Sequence, residues 1–190
     1  MKDKFYIVNL FIILVLLLTS DTVVAKKRWQ DSFIKPKEVA AEKSAVKAIA
    51  RARLALEEAD ILHQAYITLI AENFTTGPGV LNAVDITEKV FEIVEKKGKY
   101  KARILSTAEK PLLSKYAPRD DFEVYAIKII LSGKSYYERV FFDYDGKDFL
   151  RASTPVSVTT KKCLVCHPTK KVGDIMGIIS YTFPLEEYYK

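Results

Sequence analysis

Apolar residues recur with a helical period in the first half of the chain and with alternation in the second. Lys35–Phe74 is rich in Ala, Glu, Lys and Leu. It predicts one long helix or two joined ones, with Pro36 near the start and Gly77-Pro78-Gly79 past the end. Val80–Lys97 predicts a second helix stopped at Gly98. Tyr100–Thr107 reads as a strand and Pro111–Arg119 as a loop. Asp120-Asp121-Phe122-Glu123 places carboxylates where a helix dipole favours them, so a helix is expected to about Leu131, ending at Ser132-Gly133. Tyr136–Tyr144 and Lys147–Ser157 read as strands around an Asp145-Gly146 hairpin turn. Asp174–Phe183 is expected to be the last strand, with Ile175, Gly177, Ile179 and Tyr181 on one face. Helices first and a mostly antiparallel sheet later indicate an α+β fold.

The N-terminus reads differently. Lys2 and Lys4 precede an apolar run from Phe5 to Leu18 that only Asn9 interrupts, and Val23-Val24-Ala25 offers small residues to a signal peptidase. Residues 1–25 are therefore expected to be a signal peptide that exports the rest of the chain, to a periplasm for instance. The run is shorter than the roughly 20 residues of a membrane span. An uncleaved anchor extending through Thr19–Ala25 is the other reading, and the chain then meets a membrane through that segment.

The 190-residue chain carries a net charge of +6. Removing residues 1–25 takes away Lys2, Lys4, Asp3 and Asp21, which leaves that charge unchanged. Its basic pairs are scattered at Lys26-Lys27, Lys96-Lys97, Lys161-Lys162 and Lys170-Lys171, with no recognition helix or nucleic-acid motif beside them. This argues against a nucleic-acid partner. Two of these pairs flank the motif described next, where they would steer an acidic redox partner or screen haem propionates; a solvated surface is the plainer reading.

Cys163-Leu164-Val165-Cys166-His167 is a Cys-x-x-Cys-His run, the attachment signal for c-type haem, and it uses both cysteines and one of the two histidines. Two thiols three positions apart reach the two vinyl groups on one porphyrin edge, and the following imidazole serves as proximal iron ligand. Three other chemistries fit less well. A thioredoxin-type dithiol opens a helix in a βαβ setting, which Lys161-Lys162 before and Pro168 after do not supply. A structural zinc site would need Cys163, Cys166, His167 and His63 together, and His167 abuts Cys166. A disulfide between the two cysteines would be strained and would close a very small loop. Export and haem attachment agree, because such attachment takes place outside the bacterial cytoplasm.

The order of several short pieces resembles the PAS-like haem-c domain family, long known as a domain of unknown function. They run from about Ala59 to Leu185: Leu62-His63-x-Ala65-Tyr66, Arg103-Ile104-Leu105, Asp121-Phe122-Glu123, Arg151-Ala152-x-x-Pro155-Val156, the haem motif itself, and Val172-Gly173-Asp174-x-x-Gly177. Members occur as sensor modules of bacterial signalling proteins and as free-standing exported monohaem proteins. The resemblance implies one PAS-like haem-c domain over residues 26–190, with a helical part at 35–97 and a sheet part at 100–185. It also implies one covalent haem c held between a late loop and a helix. Some members supply a helical cysteine as second axial ligand. Ala83-Val84-Asp85-Ile86-Thr87 has none, and both cysteines of this chain lie in the motif.

His63 is then the leading candidate for the distal iron position. Leu56, Ala59, Ile67 and Ile70 lie within roughly 45° of it on a helix, so it sits on an apolar stripe. A histidine satisfied in the core is the plainer reading. Met176 as ligand and a vacant sixth position complete the alternatives. Arg151 and Tyr66 are candidate haem-pocket residues, although a strand arginine is usually solvated and a tyrosine often fills core. No serine-histidine-acid set, phosphate loop or catalytic carboxylate pair is present, so an electron carrier or redox sensor is expected rather than an enzyme. A gas-binding sensor is the alternative. Any sensor output would pass to a separate redox or signalling partner, and the oligomeric state is not encoded in any pattern of the sequence.

Overall fold

A computed structural model of the chain describes residues 36–73, 83–142 and 147–189. The expected signal peptide and the Asp145-Gly146 turn lie outside these residues. The chain divides into two units, Met1–Ser44 and Ala45–Lys190, and the account below concerns the second. No helix among the described residues is long and apolar enough to cross a membrane.

Helix α1 runs unbroken from Pro36 to Asn73. Proline at the first helical position has no amide to satisfy, and no glycine or proline follows within the helix. Ala48, Ala52, Leu56, Ala59 and His63 are buried along one face at helical spacing. Helix α2, Ala83–Lys96, closes at Gly98, whose φ of 70° is a left-handed conformation that a side chain would oppose. Helix α3, Asp121–Leu131, is capped by the Asp120 carboxylate, which accepts the Glu123 N–H at 3.1 Å.

Four strands, β1 (Lys101–Ser106), β2 (Tyr137–Phe141), β3 (Phe149–Ser157) and β4 (Ile175–Pro184), form an antiparallel sheet in the order β1-β4-β3-β2. The α+β expectation holds. On one face Leu150, Ala152, Val156, Ile179, Tyr181 and Phe183 pack with Ala52, Leu56 and Ala59 of α1 and Phe91 of α2. On the other face Leu105 and Ile178 pack with Ile130 of α3. Strand β4 is buried on both faces, which accounts for its near-continuous apolar run.

One expectation for β4 fails. Ile175 does not share a face with Ile179 and Tyr181. Val156 pairs with Gly177 while Ser157 pairs with Ile175, so Met176 is an extra residue in the ladder. The bulge turns Ile175 towards the Leu105–Ile130–Ile178 cluster and leaves Met176 against the α1 side. Strict alternation cannot foresee an inserted residue.

An ion-pair network ties α3 to the sheet. Glu123 is buried, pairs with Arg103 and, at 3.5 Å, with Arg151, and accepts the Arg119 N–H at 2.8 Å. Arg103 also donates to the carbonyls of Lys115 at 2.6 Å and Ala117 at 3.0 Å, which fixes the loop before α3. Removing the carboxylate takes one ion-pair partner from each of two guanidinium groups that are largely shielded from water. We expect Glu123→Ala to lower the unfolding free energy by about 3–5 kcal/mol. Loss of the α3 cap in Asp120→Ala should cost about 1–2 kcal/mol. Urea unfolding of both variants measures the difference.

Candidate functional site

The loop between β3 and β4 carries Cys163, Cys166 and His167. Its ends are pinned together: Val158 N–H donates to the Asp174 carbonyl at 2.8 Å and Gly173 N–H to the Val158 carbonyl at 2.9 Å. Within it Lys161–Val165 forms a 3-10 turn whose cap, Thr160, accepts the Lys162 N–H on its hydroxyl at 3.2 Å. The Cys163 carbonyl accepts both the Cys166 N–H at 3.3 Å and the His167 N–H at 3.0 Å, so the three side chains leave a single tight turn. Both cysteines are free thiols; Cys163 is buried and Cys166 exposed. Burial pushes the Cys163 thiol up, but hydrogen bonds from Thr160 and Thr159 outweigh it and hold its pKa below the ordinary range. His167 is half-buried. Desolvation, with the Lys170 charge adding to it, holds its imidazole below the usual value.

His63 lies in a different setting, in the core between α1 and the sheet. Its Nδ1 is 3.0 Å from the Tyr181 hydroxyl and its Nε2 is 3.2 Å from the Tyr100 hydroxyl. Tyr181 donates its proton to Asp60 Oδ1 at 2.9 Å, and Thr154 donates to the same oxygen at 2.6 Å. These bonds set the tautomer. Tyr181 has no further proton to give, so it accepts from His63 Nδ1–H, and His63 Nε2 accepts from Tyr100. The imidazole stacks on Tyr181 with centroids 5.7 Å apart, and Phe91 and Tyr66 pack around it. Burial lowers the His63 pKa, and the Asp60 charge opposes that only in part.

The structure separates the residues that the sequence grouped. Tyr66 lies beside His63. Its hydroxyl is buried with no hydrogen-bond partner of normal geometry among the described residues, and burial pushes its pKa up to about 12. Arg151 sits on the opposite face of the sheet, paired with Asp120 at 2.6 Å and lying 4.3 Å over the Phe122 ring, so it is committed to α3 rather than solvated. The loop meets α1 through Lys162, whose ammonium donates to the Glu72 carbonyl. The nine residues from His63 to Glu72 rise about 13.5 Å along the helix. Among the described residues no group of three or more His, Cys, Asp and Glu side chains could hold a metal ion, so a zinc site built from Cys163, Cys166, His167 and His63 is not assembled.

Sequence reasoning overlooked Asp60, Tyr100, Thr154 and Tyr181. One signal was present: Asp60 stands three residues before His63, a carboxylate on an otherwise apolar helix face. The tyrosines come from strands or their edges, 37 and 118 residues from His63, and carry no local mark.

The model of the Tll0287-like family matches residues 41–184. A solved structure similar to the chain is that of the cyanobacterial haem protein Tll0287, at 16% identity and a TM-score of 0.45, covering 80% of this chain and 97% of that one. No curated protein matches.

A buried neutral histidine makes folding sensitive to acid. The unfolded chain takes up a proton near the ordinary value of 6.5, whereas the folded chain keeps His63 neutral to lower pH. Between the two values unfolding binds a proton, so stability falls as pH drops through that window, by at most about 1.4 kcal/mol per pH unit from this group. Urea unfolding at pH 7.5 and 5.5 should show a smaller loss for His63→Gln than for the parent chain.

Proposed function

The chain belongs to the Tll0287-like family, and we propose on that footing that it is an exported monohaem c-type protein acting in electron transfer or redox sensing. The observation that carries this reading is the turn at Cys163–His167. It presents two unpaired thiols and an adjacent imidazole from one tight bend, and no disulfide or gathered metal cluster competes for them among the described residues. These residues fit the group. Cys163 and Cys166 would hold it through thioethers, and His167 would ligate its iron. Bound there, it would supply a one-electron couple. The protein's part is positional. The pinned loop ends fix the turn, Thr160 holds the Cys163 sulfur at 3.8 Å, and Lys162 braces the loop against α1. The electron would be exchanged with a separate redox partner. The N-terminal segment suits delivery to a periplasm, where the attachment chemistry operates.

Two axial arrangements are compatible with the proposal and predict opposite spectra. In the first, His63 Nε2 leaves Tyr100 for the iron. The tautomer already suits this, since Nδ1–H is held by Tyr181 and Asp60 and the Nε2 lone pair points away from them. In the second, His63 stays in its cluster and the sixth position is taken by water or a gas. The hydrogen bonds on both ring nitrogens, and the length of helix between His63 and the loop contact at Glu72, favour the second.

Expression with cytochrome c maturation machinery tests both levels. Haem should resist acid-acetone extraction in the parent chain and be lost from a Cys163→Ala, Cys166→Ala double variant; extractable haem in the parent would sink the proposal. The reduced protein should bind carbon monoxide rapidly, and His63→Ala should leave the spin state unchanged. A low-spin spectrum that becomes high-spin in His63→Ala would establish the bis-histidine form instead.

A further inference from the structure

The loop that carries the Cys163–His167 turn is also basic throughout. Lys161, Lys162, Lys170 and Lys171 stand within eleven residues that include no acidic side chain. The next acid, Asp174, accepts the Lys171 N–H at 2.8 Å and so serves the loop's own backbone. Lys162 reaches the Glu72 carbonyl, and among the described residues no ion pair involves any of the four lysines. The loop also exposes apolar surface: Val165, between the two pairs, is 73% and Val172, directly after the second pair, 54% exposed. Cys166, Pro168 and Thr169 are exposed beside them.

Unpaired lysines and exposed apolar side chains on one loop suit docking of a partner of opposite charge. The lysines raise the encounter rate and orient the approach, and the valines give the complex contact area where the charges have been brought together. We propose that this loop is where the protein meets its redox partner, and that the partner is a protein with an acidic face. The inference rests on the haem reading above for the word redox. The charge complementarity stands without it. A membrane is the less suitable occupant, because interfacial anchoring draws on larger Trp, Phe or Leu side chains than the two valines exposed here.

The loop ends are pinned by backbone hydrogen bonds, so replacing lysine side chains leaves the turn in place. The test compares two triple variants of equal net charge, made as holoprotein. One is Lys161→Gln, Lys170→Gln and Lys171→Gln. The other removes three lysines away from the loop: Lys128→Gln, Lys134→Gln and Lys147→Gln. On a carboxylate resin, which presents an acidic surface, the loop triple should elute at clearly lower salt than the control triple. Oxidation of the reduced protein by ferricyanide, an anion, should slow several-fold from low to high ionic strength, and the loop triple should lose most of that salt dependence. Equal elution and equal salt dependence of the two triples would overturn the proposal. Sedimentation with phosphatidylglycerol vesicles that depends on the loop lysines would overturn it in favour of a membrane. If no covalent haem forms, the function above fails, while the resin comparison still decides whether the loop is an acid-binding surface.

Discussion

Strand β4 is the constraint from which the rest of the structure follows. It pairs with β1 on one side and β3 on the other, and it is buried on both faces. Ile179, Tyr181 and Phe183 serve the α1 core while Ile178 serves the α3 cluster, so one strand holds both layers in register. A central strand tolerates no slippage, because a one-residue shift would exchange its two faces. The loop with the attachment turn leads directly into this strand. Its last residues are hydrogen-bonded to the end of β3, so the least movable element of the fold sets the position of the turn.

The same strand explains why a polar cluster persists in the core. Tyr181 projects between α1 and the sheet with its hydroxyl fully shielded, and such a group needs a partner. Asp60 accepts from Tyr181 and Thr154, Tyr181 accepts from His63, and His63 accepts from Tyr100. Each member satisfies the next, and α1, β3, β4 and the edge of β1 are joined by the chain. Removing one member leaves the others unpaired in a low-dielectric setting, so the cluster specifies how α1 sits on the sheet as well as stabilising it. On the opposite face Glu123, Arg103, Arg151 and Asp120 play the corresponding part for α3.

Local features were legible in the sequence and long-range ones were not. The helical character of α1, the stop at Gly98, the Asp120 cap and the pairing of β2 with β3 each follow from residues a few positions apart, and each is observed; the pattern leaves open whether α1 is one helix or two joined ones. The turn at Cys163–His167 is likewise complete within five residues. The bulge at Met176 was hidden because it depends on the neighbouring strand rather than on β4's own alternation. Arg151 was a candidate pocket residue, with a solvated strand arginine as the plainer reading, and its burial against α3 is what the sequence did not show. Its alternation in β3 sends it to the α3 side, where Asp120 and Glu123 are waiting. The apolar stripe around His63 was read correctly as interior, yet the stripe alone could not show that two tyrosines meet both ring nitrogens.

The separation between the turn and the cluster has a functional consequence of its own. If His63 remains with Tyr181 and Tyr100, the attachment turn and the core histidine are two independent devices joined by α1 and β3. Among the described residues Lys162 on Glu72 and the pairing of β3 with β4 would then link the turn to the core. If His63 leaves Tyr100 for iron, the ring must carry Tyr181 and Asp60 with it or break their bonds, because its tautomer is set by that chain. An exchange of His63 between Tyr100 and iron would couple the state of the iron to the packing of α1. The hydrogen bonds on both ring nitrogens favour the arrangement in which His63 stays in its cluster.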